Sequence, residues 1–278
     1  MIETSRLFVK KEKLVRHTAL EALEERRLRS RVQVIGSLEG GQIVEIVDGE
    51  RRVALNRYLP ERVHLIGSKD LPFGYRNITE GGSWIGQVEF DPRRSNTLKG
   101  RLALLHEMGH GIDASSPENQ MRKDQHHLID TAYKIYESIM ESDEWEKNVS
   151  AEHRDERFVE EFKKRWEKEN TDHQDKRFAP LRYRDLVETI KTLAERERHA
   201  WAETLLLRRR IRRDTDVDVL EEATTADIFR VVESEALGSY ERIYGPLLRL
   251  AGEKDIEISK RDFLDKILDM LARLGTRI

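Results

Sequence analysis

Two histidines stand four residues apart in "HEMGH", and the glutamate Glu107 directly follows the first of them, His106. The surrounding run "LALLHEMGHGID" sets Leu102, Leu105, Met108 and Ile112 at three- to four-residue spacing, which predicts a helix, with Ser95 and Asn96 as N-cap candidates just upstream. On a helix, residues four apart are neighbours, with Cβ atoms about 5–6 Å apart. The imidazoles of His106 and His110 can therefore reach one metal ion at bond lengths of roughly 2.0–2.1 Å. Glu107 lies about 100° around the axis from His106, so it need not bind the metal and can hold a water beside it. A carboxylate and two imidazoles with nothing to bind would be costly in so apolar a helix, which favours a metal centre over an ordinary buried helix.

On His106, Glu107 and His110 the chain resembles the zincin metallopeptidases, whose active-site helix carries HExxH. The resemblance implies that the two histidines bind Zn2+ and that Glu107 is the general base. The metzincin extension HExxHxxGxxH is not met, because Ser116 stands where the third histidine belongs. Asp113, three residues after His110 on the same helix, is better placed to accept a hydrogen bond from an imidazole N–H than to bind the metal. A gluzincin draws its third ligand from a glutamate on a later helix. In "LAERERHAWAETLLLRRR" (193–210), Glu197, Ala200, Trp201 and Thr204 share one helical face, and the small Ala200 would allow close approach to Gly109. The stretch Glu197-Arg198-His199-Ala200-Trp201 is similar to the E-x-x-A pattern of small bacterial gluzincins, including the ImmA/IrrE type. That similarity implies Glu197 as the third ligand, with Glu195 and Glu203 as the runners-up. It covers two short helices, and the segment between His110 and Glu197 is longer than those minimal enzymes use. His199 and Tyr183 are candidates to orient a substrate carbonyl oxygen. Three ligands would leave one position open for chemistry, whereas a fourth from Glu203, His126 or Asp113 would close the site into a structural one.

The elements that must position these residues are legible in outline. "RVQVIG", "QIVEIV" and "RRVAL" are β-branched, alternating runs separated by "SLEGG" and "DGE", and "SWIGQVEFD" (83–91) reads as a further strand leading into the HExxH helix. Residues 1–30 read as helical and charged, 31–92 as strand-rich, and nearly everything from 95 onward as helical. The expected fold class is α+β: a small N-terminal antiparallel or mixed sheet, then the HExxH helix and a largely helical remainder. An edge of such a sheet can pair with an extended peptide. The expected division is 1–113 for the N-terminal helix, sheet and HExxH helix, 114–192 for a charged helical insertion or lid, and 193–278 for the third-ligand helix and C-terminal helices. Within the insertion Phe158, Phe162 and Trp166 recur every four residues, as do Trp145 and Val149, so its charge-dense stretches are helices with narrow apolar stripes. A packed helical hairpin is the plainer reading and a gate over the cleft the functional one. "FAPLRY" (178–183) reads as its exit turn.

Charged residues make up 37% of the 278, yet the net charge is only -3, so the whole-chain balance implies neither a nucleic-acid nor a membrane partner. With no cysteine, a metal site must be built from histidine and carboxylate. The N-terminus has no apolar stretch of signal-peptide length, and no run approaches the roughly 18–20 apolar residues of a membrane span, so a cytoplasmic protein is expected. "RRRIRR" (208–213) fits the C-terminal end of a helix, and the tandem His126 and His127 fit a surface. The expectation is a zinc-dependent metallopeptidase acting on an unidentified protein or peptide. The alternative is a non-catalytic, zinc-stabilised interaction protein, which would have no need of Glu107 beside the metal.

Overall fold

Alternation of β-branched and polar residues builds the first sheet. Strands β1 (Arg31–Leu38), β2 (Gly41–Asp48) and β3 (Arg51–Ala54) run antiparallel in that order. Gly40 (φ 77°) and Gly49 (φ 60°) take the left-handed backbone that the two tight turns require. Val44, Ile46 and Val53 are buried beneath this sheet. A second three-stranded sheet has the order β4-β6-β5, with β4 (Val63–Gly67) parallel to β6 (Ser83–Phe90) and β5 (Gly74–Glu80) antiparallel to it. The fold is α+β with one antiparallel and one mixed sheet. The computed structural model describes residues 21–80, 83–115, 123–140, 154–172, 183–221, 223–233, 265, 267–269 and 272.

The strand-rich reading of 31–92 holds, with two strands beyond the runs that suggested it, whereas the helix expected over 1–30 is corrected. No strand is read from the sequence between β3 and β6, because β4 is only five residues long and β5, "GYRNITE", is polar. β5 owes its extended state to pairing with β6 from Gly74↔Glu89 to Glu80↔Ser83. The helix expected over 1–30 is helical at 21–24, and by Arg27 the chain is extended and bridges to Thr97. There the Leu28 N–H donates to Asn96 O and the Leu98 N–H to Arg26 O, so this segment supplies main-chain partners at the entry to the next helix. Residues 1–20 lie outside the described residues.

That helix is α1 (Leu98–Ala114), and it carries "HEMGH". Its N-cap is Thr97, whose side chain accepts from the Gly100 N–H at 3.1 Å. Ser95 and Asn96 are not the caps because both are committed elsewhere. Ser95 Oγ donates to Asp91 O at 2.9 Å, and Asn96 Oδ1 accepts from the Val32 N–H at 2.8 Å. The buried Asp91 organises the turn before the helix, accepting from the backbone N–H groups of Arg93 and Asp70. Burial pushes its carboxyl up, but those donors, the Arg94 N–H and the Arg93 charge outweigh it and hold the group below its ordinary value.

Helices α2 (Lys123–Met140) and α3 (Arg154–Asp172) pack on each other in a compact unit comprising 120–197 and 235–266. The apolar stripe seen in the sequence is buried there. Phe158 meets Tyr136 edge-on at 5.8 Å, and Phe162 stacks on Trp166 at 5.8 Å. Trp145, Val149, Ser116 and residues 178–182 lie outside the described residues. The other unit comprises 1–119, 198–234 and 267–278. The 33-residue helix α4 (Tyr183–Thr215) belongs to both, and the division falls inside it, between Glu197 and Arg198. Arg212 and Arg213 occupy its last turn, and Arg208 makes a bidentate pair with Asp218 at 2.8 and 2.6 Å. Helix α5 (Thr225–Val232) starts with a capping box between Thr224 and Asp227. No helix among the described residues is long and apolar enough to cross a membrane.

One buried cation ties the start of α1 to the segment following α4. Arg101, fully buried, donates to Ser95 O, Ser30 O, Ser30 Oγ and Val219 O. Burial pushes its guanidinium down to about 10, with the Glu221 charge opposing, so it stays charged near neutrality. Glu221 accepts from the N–H groups of Arg29 and Ser30 and from the Ser30 hydroxyl. Burial raises the Glu221 carboxyl, but these donors and the Arg101 charge outweigh it and hold it below its ordinary value. On acidification the unfolded chain then takes up the proton more readily than the folded one. The stabilisation is present above the ordinary glutamate pKa and is lost as pH falls through the folded value. Glu221→Gln is expected to cost about 1.5–3 kcal/mol at neutral pH, the usual size for hydrogen bonds to a charged group. Its melting temperature should also decline less steeply than wild type on acidification; parallel melting curves across that range would remove Glu221 from the pH dependence.

Candidate metal centre

Helix α1 is apolar on nearly every side because it is covered on nearly every side. Leu98, Leu102, Leu104, Leu105 and Met108 are fully buried, and α1 packs on β5 and β6. On α1, Gly109 lies against α4 so closely that a Cβ there would collide with Ala200 O and come within 3.1 Å of Thr204 Oγ1. Thr204 Oγ1 donates to Ala200 O at 2.7 Å and lies 3.3 Å from Leu105 O, joining the two helices where they meet. The small pair Gly109 and Ala200 thus sets the spacing of the two helices that carry the candidate ligands.

At this crossing stand His106 and His110 from α1 and Glu197 from α4. One ligand atom from each lies within 4.8 Å of the others, and this trio could hold a metal ion. Tetrahedral bonds of about 2.0–2.2 Å place ligand atoms roughly 3.3 Å apart, so small side-chain movements would close the trio on an ion. Glu197 and Arg198 are consecutive residues of the one helix α4. The donor set, two imidazoles and one carboxylate, suits a divalent ion of intermediate softness.

Four aromatic rings run through the site. The His106 ring stacks on the Trp201 indole (centroids 4.1 Å apart, planes 20°) and meets His110 edge-on at 4.5 Å and 68°. His110 stacks in turn on Tyr75 of β5 at 6.2 Å and 19°. Gly86 of β6 makes room for that tyrosine, since a Cβ there would come within 2.8 Å of Tyr75 Oη. Nothing in the polar sequence of β5 points to Tyr75, because that segment becomes a strand only through its pairing with β6. Trp201 is read as sharing the face of Glu197, and that i, i+4 relation was the signal that could have found it.

Glu107 is half-buried on α1 and is not a member of the trio. Of the alternative third ligands, Glu195 is exposed and Glu203 pairs with Arg210 at 3.3 Å. Burial raises the Glu203 carboxyl above its ordinary value; the Arg210 charge opposes this, and the nearby Asp113 charge adds to it. The buried Asp113 has its Oδ1 3.4 Å from Nδ1 of His199, the imidazole that the fold brings to it from α4. Tyr183 is the first residue of α4, and its side chain, like those of His126 and His127 on α2, lies outside the described residues. Compared with known proteins, the chain matches no family model, no curated protein and no solved structure, so the functional reading rests on the geometry of this centre.

Proposed function

We propose that the protein is a zinc-dependent metallopeptidase hydrolysing peptide bonds of a protein or peptide. The observation that carries the reading is the trio His106, His110 and Glu197 with Glu107 beside it on the same helix but outside it. Three ligands and a neighbouring carboxylate are the arrangement of an open, hydrolytic zinc site, whereas a structural site takes four ligands. Bound Zn2+ supplies a Lewis acid that acidifies water and polarises a carbonyl group. His106, His110 and Glu197 would hold it, through two imidazole nitrogens and one carboxylate oxygen. The Glu107 carboxylate accepts a proton from the attacking water and delivers it to the departing amine nitrogen as the C–N bond breaks. In its protonated form the half-exposed His199 places Nδ1 beside Asp113 and has Nε2–H as a second donor, which can meet the substrate carbonyl oxygen. β5 supports a peptide as the substrate class. It is an outer strand of its sheet among the described residues, and it carries the Tyr75 stacked on His110, so a main chain added to that strand would run near the ligands.

Elemental analysis tests the ligand set and a protein-substrate screen tests the activity. About one zinc per chain is expected, lost in His106→Ala and His110→Ala and reduced in Glu197→Ala. Undiminished zinc in the Glu197 variant would move the third-ligand role to Glu195 or Glu203. Hydrolysis of unfolded proteins that a chelator abolishes and Zn2+ restores is the expected activity. A zinc-loaded wild type that cleaves none of them would overturn the peptidase reading in favour of a zinc-stabilised interaction protein.

A further inference from the structure

We infer that Trp201 is a positioning residue of the metal centre: its indole face fixes the ring of His106, so that the first and third ligands are held as one unit. The inference rests on the metal-binding part of the proposed function and is independent of hydrolysis.

Trp201 follows Glu197 by one helical turn, so the indole and the carboxylate leave α4 on the same side. Its ring lies 4.1 Å from that of His106 and nearly parallel to it, and both residues are buried. A histidine ring turns about χ2 in a broad, roughly two-fold well. Unless something flat lies against it, its nitrogens sample many directions, and a metal must order them at a cost in affinity. The indole supplies that flat surface. His106 also makes an edge-on contact with His110, which is itself stacked on Tyr75, so the ring series reaches from α4 through both histidines to β5. Each ligand imidazole thus has an aromatic support from a different element.

The indole N–H is buried with no hydrogen-bond partner among the described residues. A phenyl ring in its place would avoid that cost, so the feature the site uses is the aromatic face and not the donor. This separates positioning from plain core filling. A residue that only fills volume could be replaced by leucine with a loss of stability alone, whereas a positioning ring needs another ring.

The test uses the full chain, stripped of metal and titrated with Zn2+ against a chromophoric chelator, and with Co2+ followed by visible absorption and tryptophan emission. Trp201→Leu is expected to keep a helical circular-dichroism spectrum while binding Zn2+ about 10–100-fold more weakly, the usual cost of removing a ligand's support. Its Co2+ absorption bands should change in shape as well as midpoint. Trp201→Phe should restore wild-type bands and an affinity within a few-fold of wild type. Co2+ should quench wild-type emission, and the Phe variant should lack most of that quenching. Wild-type affinity and bands in Trp201→Leu would overturn the inference while leaving the metal centre intact. If the Leu variant does not fold, the Phe variant decides: weak binding or altered bands with Phe, or quenching that survives it, would equally overturn the inference. A wild type that binds neither metal would bring down the metal-binding reading together with it.

Discussion

Replacing Glu107 with glutamine is expected to leave zinc bound at its wild-type level while hydrolysis falls by something like 10²–10⁴-fold, the usual contribution of a positioned acid–base group. In activation free energy that is about 2.7–5.5 kcal/mol. The amide matches the carboxylate in size and can still hold a water, but it cannot take that water's proton. The effect should be confined to chemistry because Glu107 lies outside the trio of His106, His110 and Glu197 and is only half-buried on α1. The check is paired, with zinc content by elemental analysis and cleavage by the variant against wild type on the same unfolded protein. Equal cleavage by the two would remove Glu107 from the reaction and point to a contaminating protease. Loss of zinc in the variant would make Glu107 a ligand, and the open coordination position on which the peptidase reading depends would no longer follow.

Gly109→Ala is expected to damage the centre without touching a ligand. The added methyl would be driven into Ala200 O, a backbone atom that cannot rotate away, and would crowd Thr204 Oγ1. α1 and α4 would have to separate, and Glu197, carried on α4, would draw back from His106 and His110. Overpacking costs about 1–3 kcal/mol, and occasionally more, so with backbone as the obstacle the upper end is expected. That corresponds to a fall in melting temperature of roughly 5–10 °C for a unit of this size. Zinc affinity should drop by at least about 10-fold, in line with the loss of a ligand's support. Gly74→Ala is the control, because a Cβ at Gly74 meets nothing within 4 Å. If Gly109→Ala melts and binds zinc like Gly74→Ala, the close crossing of α1 and α4 does not govern the centre.

What the sequence determined by itself is what nearest neighbours along the chain encode. The i, i+4 spacing of His106 and His110 and the apolar run around them specify both a helix and a face, because helical geometry alone brings those imidazoles together. The β-branched runs and glycine turns specify β1 to β3, and the four-residue aromatic period specifies the buried stripe of α3. The shared face of Glu197, Ala200, Trp201 and Thr204 is likewise local, and so was the expectation that Ala200 would meet Gly109. Tertiary structure decided which distant groups complete each local one. β5 is polar and becomes a strand only through β6, so Tyr75 could not be assigned to His110 in advance. Thr97 caps α1 because Asp91 and Val32 claim Ser95 and Asn96, a competition settled by chain segments brought together in space. Asp113 meets His199, and Trp201 lies on His106, across some 90 residues of sequence, pairings that no periodicity contains. Periodicity states which side of an element is buried, and only packing of the whole chain, where each contact competes with all others, selects what it is buried against.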